Sequence, residues 1–145
     1  MTYCLDTNTC IYHLNDSAPK LSDRLEEMPF RDIKIPSMVV AELFYGAEKS
    51  AKREYNFKVF RTFLTLYEIA RFDERAAEHY AAIRAELERR GQRIGGNDLV
   101  IAATALSNDA VLVTHNIDEF SRVDGLKLED WAALAPRKKP RRNMA

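Results

Sequence analysis

The sequence predicts an α/β domain with a mainly parallel central sheet, and three observations support this prediction. Four short apolar segments, each bounded by polar or turn residues, have the length and composition of strands. The stretches between them repeat apolar residues at helical spacing or carry helix-capping residues. Strands that alternate with helices form parallel sheets, and the helices of such domains cover both faces of the sheet.

The predicted elements follow one another in a regular order. Ser37 precedes the first long helix and is a favourable N-cap residue, and Asp73 is expected to cap a later helix that ends at Arg89-Arg90-Gly91. The stretch from Leu99 to Leu106 is apolar on every side, which predicts a buried helix. The predicted strands span residues 2–6, 32–36, 68–72 and 110–114, and other predicted helices span residues 38–50 and 52–66.

The charge of the chain is distributed unevenly. The chain has 145 residues, a length that suits one domain with its own core. It contains 22 basic and 22 acidic side chains. Residues 137–142 (RKKPRR) contain five of the basic residues, so residues 1–136 carry 17 basic and 22 acidic side chains, a balance of −5. We therefore predict a folded domain over residues 1–134 and a basic, disordered tail over residues 135–145, which could also contact nucleic acid.

Composition also indicates the compartment. No apolar run reaches the roughly 18 residues of a membrane-spanning helix, and the N-terminus lacks the basic and apolar regions of a signal peptide. Cys4 and Cys10 belong to no ligand or redox motif, so they are expected to be small buried thiols. These features predict a cytoplasmic protein that does not contact a membrane.

Three acidic residues fall where open α/β sheets bind ligands, outside the carboxyl ends of the strands. Asp6 ends the first strand, Glu42 lies early in the helix after the second, and Asp98 opens the buried helix. Each also has a plain structural explanation. Asp6 could cap a helix that starts near Asn8, Glu42 could be a solvated helix residue, and Asp98 could interact with the helix dipole. Three polar exceptions at one end of one sheet nevertheless favour a shared site.

Such a site would require a counter-charge. Three converging carboxylates repel one another unless they share protons or bind a cation, and oxygen ligands alone suit Mg²⁺ or Mn²⁺. Zinc is disfavoured because His13, His79 and His115 share no ligand spacing. His115 lies nearest the predicted site and is expected to face solvent.

Four blocks of the sequence, in this order and at these distances, resemble the PIN-domain ribonuclease toxins of VapC type. They are DTN at 6–8, PSMVVAELFYGAEKS at 36–50, IGGNDLVIAATAL at 94–106 and LVTHNIDEFSRVDGLKLEDW at 112–131. The resemblance implies a Rossmann-like, three-layer fold and Mg²⁺- or Mn²⁺-dependent cleavage of single-stranded RNA. It also implies a VapB-type antitoxin, binding of the complex to its operator DNA, and usually a homodimer. Toxins with similar sequences cut initiator tRNA in its anticodon loop, which is therefore the expected substrate, and other tRNAs or ribosomal RNA are alternatives.

The resemblance also implies roles for individual residues. The three central acids of the family match Asp6, Glu42 and Asp98, and its surrounding polar residues match Thr7, Asn8, Thr114 and Asn116. Many PIN domains have a fourth acid two residues after the threonine, where this chain has Asn116. Asp118 or Glu119 could replace that acid, and we include Glu119 as a further candidate metal ligand.

Basic and apolar segments near these residues suggest macromolecular contacts. Arg89, Arg90 and Arg93 precede Asp98, and Lys49 follows the Glu42 helix, so these four are candidate RNA-binding residues or ordinary surface residues. Residues 57–67 (FKVFRTFLTLY) are more apolar than one buried helix face requires. This segment is a candidate partner or dimer surface, or plain core.

The proposed chemistry is hydrolysis of a phosphodiester bond. A metal ion held by Asp6 and Asp98 would activate water, with Glu42 as a further ligand or a general base. A phosphatase of haloacid-dehalogenase type is an alternative, but it would need a second aspartate where this chain has Asn8. A receiver-like signalling domain and a PIN domain that serves only as a scaffold are two others. The first needs an acidic pair and a lysine that we do not find, and the intact acidic set argues against the second.

Overall fold

A five-stranded, all-parallel sheet forms the centre of the computed structural model, which describes residues 1–132. The strands are β1 (Tyr3–Leu5), β2 (Ile33–Pro36), β3 (Glu68–Ala70), β4 (Val111–Val113) and β5 (Leu128–Glu129), and their order across the sheet is β3-β2-β1-β4-β5. This arrangement confirms the predicted α/β class and parallel sheet. The predicted boundary at residue 134 and the basic tail over 135–145 lie outside the described residues.

Helices connect the strands. They are α1 (Thr7–Leu14), α2 (Pro19–Glu27), α3 (Ser37–Glu48), α4 (Arg53–Leu64), α5 (Glu74–Arg89), α6 (Gly96–Ser107) and the single turn α7 (Ile117–Phe120), with a 3₁₀ turn at Phe30–Asp32. The predicted strands and long helices are present, each within one to two residues at most ends. We did not predict α2 or β5, because α2 buries only two leucines and β5 has only two residues, too few to show a periodic pattern.

The core places the ends of the two central strands side by side. All residues of β1 and β4 are buried, and α6 buries seven of its twelve residues, as its uniformly apolar sequence predicted. Such strands are apolar on both faces because both faces of a parallel sheet are covered. The Leu5–Val113 pairing then brings the carboxyl ends of β1 and β4 together, where Asp6 and Thr114 follow.

One predicted helix cap is correct and the other is wrong. The carboxylate of Asp73 accepts a hydrogen bond from the backbone N–H of Ala76 at 3.0 Å, and Gly91, at φ 67°, follows the end of α5. Ser37, in contrast, is the first residue of α3, and Pro36 is in the N-cap position. The Ser37 hydroxyl instead accepts a hydrogen bond from the backbone N–H of Phe72, because β2 runs into α3 without a loop.

The two cysteine thiols are buried in the core. Cys4 and Cys10 are free and buried, as predicted, and burial raises the pKa of Cys4 to about 12.

In the apolar segment 57–67, Phe63 is buried, and its neighbours Phe60, Leu64 and Tyr67 pack against the core. Plain core accounts for these four residues, whereas Leu66 is 47% exposed, so a partner or dimer surface on this segment stays a prediction. Within residues 1–132 we find no helix with the length and apolarity needed to cross a membrane.

Candidate active site

Asp6 lies directly after β1 and is held at both carboxylate oxygens. Its Oδ1 accepts a hydrogen bond from the backbone N–H of Thr9 at 2.9 Å, so Asp6 does cap α1. Its Oδ2 accepts a hydrogen bond from the Thr114 hydroxyl at 2.6 Å. The residue is only 5% exposed. The capping role and the role of a fixed carboxylate at the sheet edge are therefore compatible.

Glu42 links three helices at the same edge. The Thr7 hydroxyl at the start of α1 donates to Glu42 Oε1 at 2.5 Å, and the side-chain amide of Asn97 in α6 donates to Oε2 at 3.3 Å. The side chain is half-buried on α3. Neutral donors thus orient both of its oxygens.

Asp98 and Glu119 form a close acidic pair. Asp98 is the third residue of α6 and is hydrogen-bonded to Glu119 of α7. Glu119 accepts hydrogen bonds from the backbone N–H of Gly95 at 2.9 Å and from the side-chain amide of Asn116 at 2.5 Å. Asp118 is exposed. The structure therefore brings Glu119 into the acidic site, and Asn116, which occupies the position of the fourth acid of many PIN domains, holds it there.

The electrostatics of these carboxylates reflect their proximity. Burial, followed by the hydrogen bond and charge of Glu119 and the charges of Glu42 and Asp6, raises the pKa of Asp98 to about 7. Burial acts to raise the pKa of Glu119, but the hydrogen bonds from Gly95, Asp98 and Asn116 act in the opposite direction. The net result is a lowered pKa. Below about pH 7 these shifts favour a proton on Asp98 that is hydrogen-bonded to Glu119. Burial also raises the pKa of Asp6, against the hydrogen bonds from Thr114 and Thr9.

The site offers oxygen ligands and excess negative charge. Within residues 1–132, no lysine, arginine or histidine nitrogen forms an ion pair with Asp6, Glu42, Asp98 or Glu119. In this part of the chain, no three acidic, histidine or cysteine side chains are already arranged as a coordination sphere. Carboxylates without a cation repel one another. Hydrogen bonds from neutral donors hold Asp6, Glu42 and Glu119, and Asp98 is hydrogen-bonded to Glu119. Their chemistry fits a hard divalent ion.

The remaining predicted residues lie in different environments. Thr7, Thr114 and Asn116 donate hydrogen bonds to the acids, whereas Asn8 is exposed. Their predicted supporting roles in the site stay predictions. His115 is also exposed, as predicted, and its Nδ1 lies 2.9 Å from Asp130 Oδ2. We did not predict the contributions of Thr9, Asn97 and Gly95. The spacing of Asp6 and Thr9, three residues apart at a helix start, was the available signal for the first of these.

The predicted RNA-binding residues lie outside the acidic cluster. Arg89 pairs with Glu86, and Arg90 contacts Glu86 and Asp124. Lys49 lies over the ring of Tyr45, 4.9 Å from its centroid. Arg93, the fourth predicted residue, lies on the segment between α5 and α6 and is exposed.

The position of Glu119 predicts unequal effects of two neighbouring substitutions. Glu119→Gln removes a charge that Gly95 and Asn116 hold beside Asp98, whereas Asp118→Asn changes an exposed side chain. For the metal-dependent RNA cleavage that the sequence resemblance implies, we expect Glu119→Gln to lower the rate by about 10- to 100-fold, as for residues that orient a metal site. Asp118→Asn is the matched control and should cleave at the wild-type rate. Equal losses in single-turnover assays of both variants would contradict this placement.

Comparison with known proteins yields one consistent group. Residues 3–126 match the model of the PIN domain family. Ribonuclease VapC2 of Rickettsia felis is 43% identical over 132 residues, which cover 90% of this chain and 98% of the relative. The tRNA(fMet)-specific endonuclease VapC of Salmonella typhimurium is 40% identical over 131 residues, with 90% and 98% covered. The crystal structure of VapBC2 from Rickettsia felis bound to a DNA fragment from the promoter contains a chain that superposes with a TM-score of 0.85 at 42% identity, covering 90% of this chain and 99% of that chain.

Proposed function

This chain belongs to the PIN-domain family and, within it, to the VapC ribonucleases, and we propose that it is a toxin that hydrolyses phosphodiester bonds of RNA in a metal-dependent reaction. PIN-domain ribonucleases generally depend on divalent metal ions. One observation carries the proposal at the level of residues: four carboxylates from four segments lie together at the sheet edge, and neutral donors rather than ion pairs hold Asp6, Glu42 and Glu119. A scaffold protein would have no need for this uncompensated charge.

Magnesium is the proposed ion, with Mn²⁺ as a substitute. Asp6, Asp98 and Glu42 would hold it, with Glu119 as a further ligand. When bound, the ion would supply charge stabilisation at the phosphoryl group and lower the pKa of water. Thr9 and Thr114 fix the orientation of the Asp6 carboxylate before substrate arrives. Asp98 must release the proton it shares with Glu119, and Glu42 is either a further ligand or the general base.

The proposed substrate is the anticodon loop of initiator tRNA. The Salmonella relative named above is a tRNA(fMet)-specific endonuclease, and 40% identity over 90% of this chain supports the same substrate here. A single-stranded loop exposes splayed bases and accessible phosphates to a protein site. Other tRNAs or ribosomal RNA are the alternative, whereas the comparisons do not favour a phosphatase of haloacid-dehalogenase type.

Mapping of cleavage sites tests this proposal. Purified protein is incubated with total RNA and Mg²⁺, and new 5′ ends are located by sequencing. We expect cuts concentrated in the anticodon loop of initiator tRNA, and elongator tRNAs in the same sample serve as the control. Cuts in ribosomal RNA alone would contradict the substrate, and intact RNA with both Mg²⁺ and Mn²⁺ would contradict the activity.

An RNA-cleaving toxin requires a partner that restrains it. The solved relatives include VapBC structures from Rickettsia felis and Salmonella typhimurium, both with bound DNA, and a toxin–antitoxin complex from Klebsiella pneumoniae. By this similarity we propose a cognate VapB-type antitoxin, operator binding by the complex, a homodimeric toxin and a cytoplasmic location. A copy of this chain that purifies as a monomer and binds no product of an adjacent small gene would count against the assembly.

A further inference from the structure

A cleft of about 210 Å³ opens between α5 and the segment that leads into α6. Its floor is apolar and includes Leu87, Ile94 and Leu99, which are all buried. Its rim is polar and is formed by Tyr80, Arg84, Glu88 and Arg93. None of these side chains belongs to the acidic site described above.

We propose that this cleft is a subsite for a nucleobase adjacent to the scissile phosphate, an inference that rests on the proposed RNA-cleaving function. Gly96 lines the cleft, and Asp98 lies two residues further along α6. Gly95, the residue before Gly96, donates a hydrogen bond from its backbone N–H to Glu119. One short segment therefore borders both the cleft and the acidic site, so a nucleotide whose phosphate reaches the acids places its neighbouring base at the cleft.

The rim is arranged before any ligand binds. Arg84 donates from Nε to Glu88 at 2.9 Å and from Nη1 to the Tyr80 hydroxyl at 3.0 Å. The Tyr80 ring meets the ring of Phe72 at 84°, with centroids 5.9 Å apart. Unstacked RNA bases stack on aromatic rings and on guanidinium planes. A guanidinium group and a ring that are already held in place offer such surfaces at a low entropic cost.

The charges at the rim also suit RNA. Arg84 and Arg93 supply two positive charges, and Glu88 supplies one negative charge. The hydrogen bond from Arg84 and the charge of Arg93 lower the pKa of Glu88. The net positive charge lies beside an acidic centre and would attract the phosphates next to the one that is cleaved. Guanidinium donors and a carboxylate acceptor can bond the edge of a base, while its faces contact apolar groups.

A purely structural role explains these contacts less well. Tyr80, Arg84 and Glu88 are spaced four residues apart, so they share one face of α5. In isolated helices the favourable order of an ion pair places the acid before the base, and here Arg84 precedes Glu88. Helix stabilisation also gives no reason for an open cleft next to the acidic site.

The test combines a protein variant with a modified substrate. The substrate is an oligoribonucleotide that carries the mapped cleavage site, either intact or with an abasic nucleotide on one side or the other of the scissile phosphate. For the wild-type protein, we expect one of the two abasic positions to lower kcat/KM by about 5- to 100-fold, the range for loss of one stacked base. Arg84→Ala should lower kcat/KM for the intact substrate and make cleavage insensitive to that abasic position.

A matched control separates base binding from charge. Arg75→Ala removes the same charge from the first turn of α5, outside the cleft, and should retain the full abasic effect. If the loss of kcat/KM for Arg84→Ala with the abasic substrate equals the product of the two separate losses, Arg84 and the base act independently, and the proposed subsite is wrong. The same conclusion follows if neither abasic position affects the wild-type protein.

A binding assay distinguishes failure of the subsite from failure of the proposed function. Fluorescence anisotropy with the Asp98→Asn variant measures RNA affinity without cleavage. Affinity that depends on the base and on Arg84 would support the subsite even if cleavage at that site proved independent of a divalent metal, contrary to the proposed function. Equal affinity for the intact and both abasic RNAs would overturn the subsite even if the wild-type protein cleaved RNA as proposed.

Discussion

Asp6→Asn is expected to lower the rate of RNA cleavage in Mg²⁺ by about 10³-fold or more while the protein remains folded. The substitution removes one charge from the acidic site with almost no change in shape. Stabilisation by a bound metal ion is worth several kcal/mol, and each 1.4 kcal/mol corresponds to tenfold in rate. Loss of a ligand at this position should therefore remove most of the activity.

The fold should tolerate this change. An asparagine oxygen can accept the hydrogen bond from the backbone N–H of Thr9 that caps α1, because asparagine is also a good N-cap residue. Burial raises the pKa of Asp6, so its charged form is disfavoured in the folded state and a neutral side chain relieves that cost. We expect the melting temperature in the absence of metal to be unchanged or higher at neutral pH.

Asp73→Asn is the matched control for this prediction. Asp73 caps α5 in the same way that Asp6 caps α1, through a hydrogen bond from the backbone N–H three residues later. It belongs to none of the contacts of the acidic site, so its variant should cleave RNA at the wild-type rate. A folded Asp6→Asn variant with wild-type activity would show that Asp6 is a structural cap alone.

The acidic site was predictable from sequence where strand ends determine it. The alternation of strands and helices placed Asp6 and Asp98 at the carboxyl edge of a parallel sheet, and Thr114 followed from the end of β4. These positions depend on the order of elements, which short apolar segments reveal. The parallel neighbours β1 and β4 then bring residues that are 108 positions apart into a 2.6 Å hydrogen bond.

The support of the acids was less predictable because it depends on side-chain direction. Adjacent residues on α7 point in different directions, so only the start of that helix after Asn116 decides that Glu119, and not Asp118, meets Asp98. We did not predict a role for Asn97, yet its side-chain amide donates a hydrogen bond to Glu42, 55 residues away. A pattern along the chain does not encode such pairings between distant elements.

Removal of divalent metal is expected to reduce cleavage to background, and the response to metal should depend on pH. Chelation with EDTA leaves four carboxylates without their counter-ion, and addition of Mg²⁺ or Mn²⁺, but not Zn²⁺, should restore cleavage. A metal ion competes with the proton on Asp98, whose pKa is raised to about 7. Metal affinity should therefore rise as the pH increases towards about 7 and level off above it.

The metal-free protein should show the opposite trend in stability. Because the folded-state pKa of Asp98 lies above its usual value of 3.8, its contribution is fully present below pH 3.8 and is lost as the pH rises through about 7. Glu119 does not counteract this trend, since a lowered pKa affects stability only as the pH falls through and below its usual value of 4.5. The melting temperature without metal should fall from about pH 5 to about pH 8, and Mg²⁺ should offset most of that fall.

Asp98→Asn provides the control for both trends. Asparagine carries no proton to lose, so the part of the fall in melting temperature that is due to Asp98 should disappear, and the stabilisation by Mg²⁺ should be lost with it. The raised pKa of Asp6 leaves a smaller fall in the same direction. Melting curves at four pH values, with EDTA or with Mg²⁺, measure both effects in one experiment. A wild-type protein that Mg²⁺ stabilises equally at every pH would contradict competition between the ion and the Asp98 proton. Such a result would mean that the ion binds without displacing the proton that Asp98 shares with Glu119.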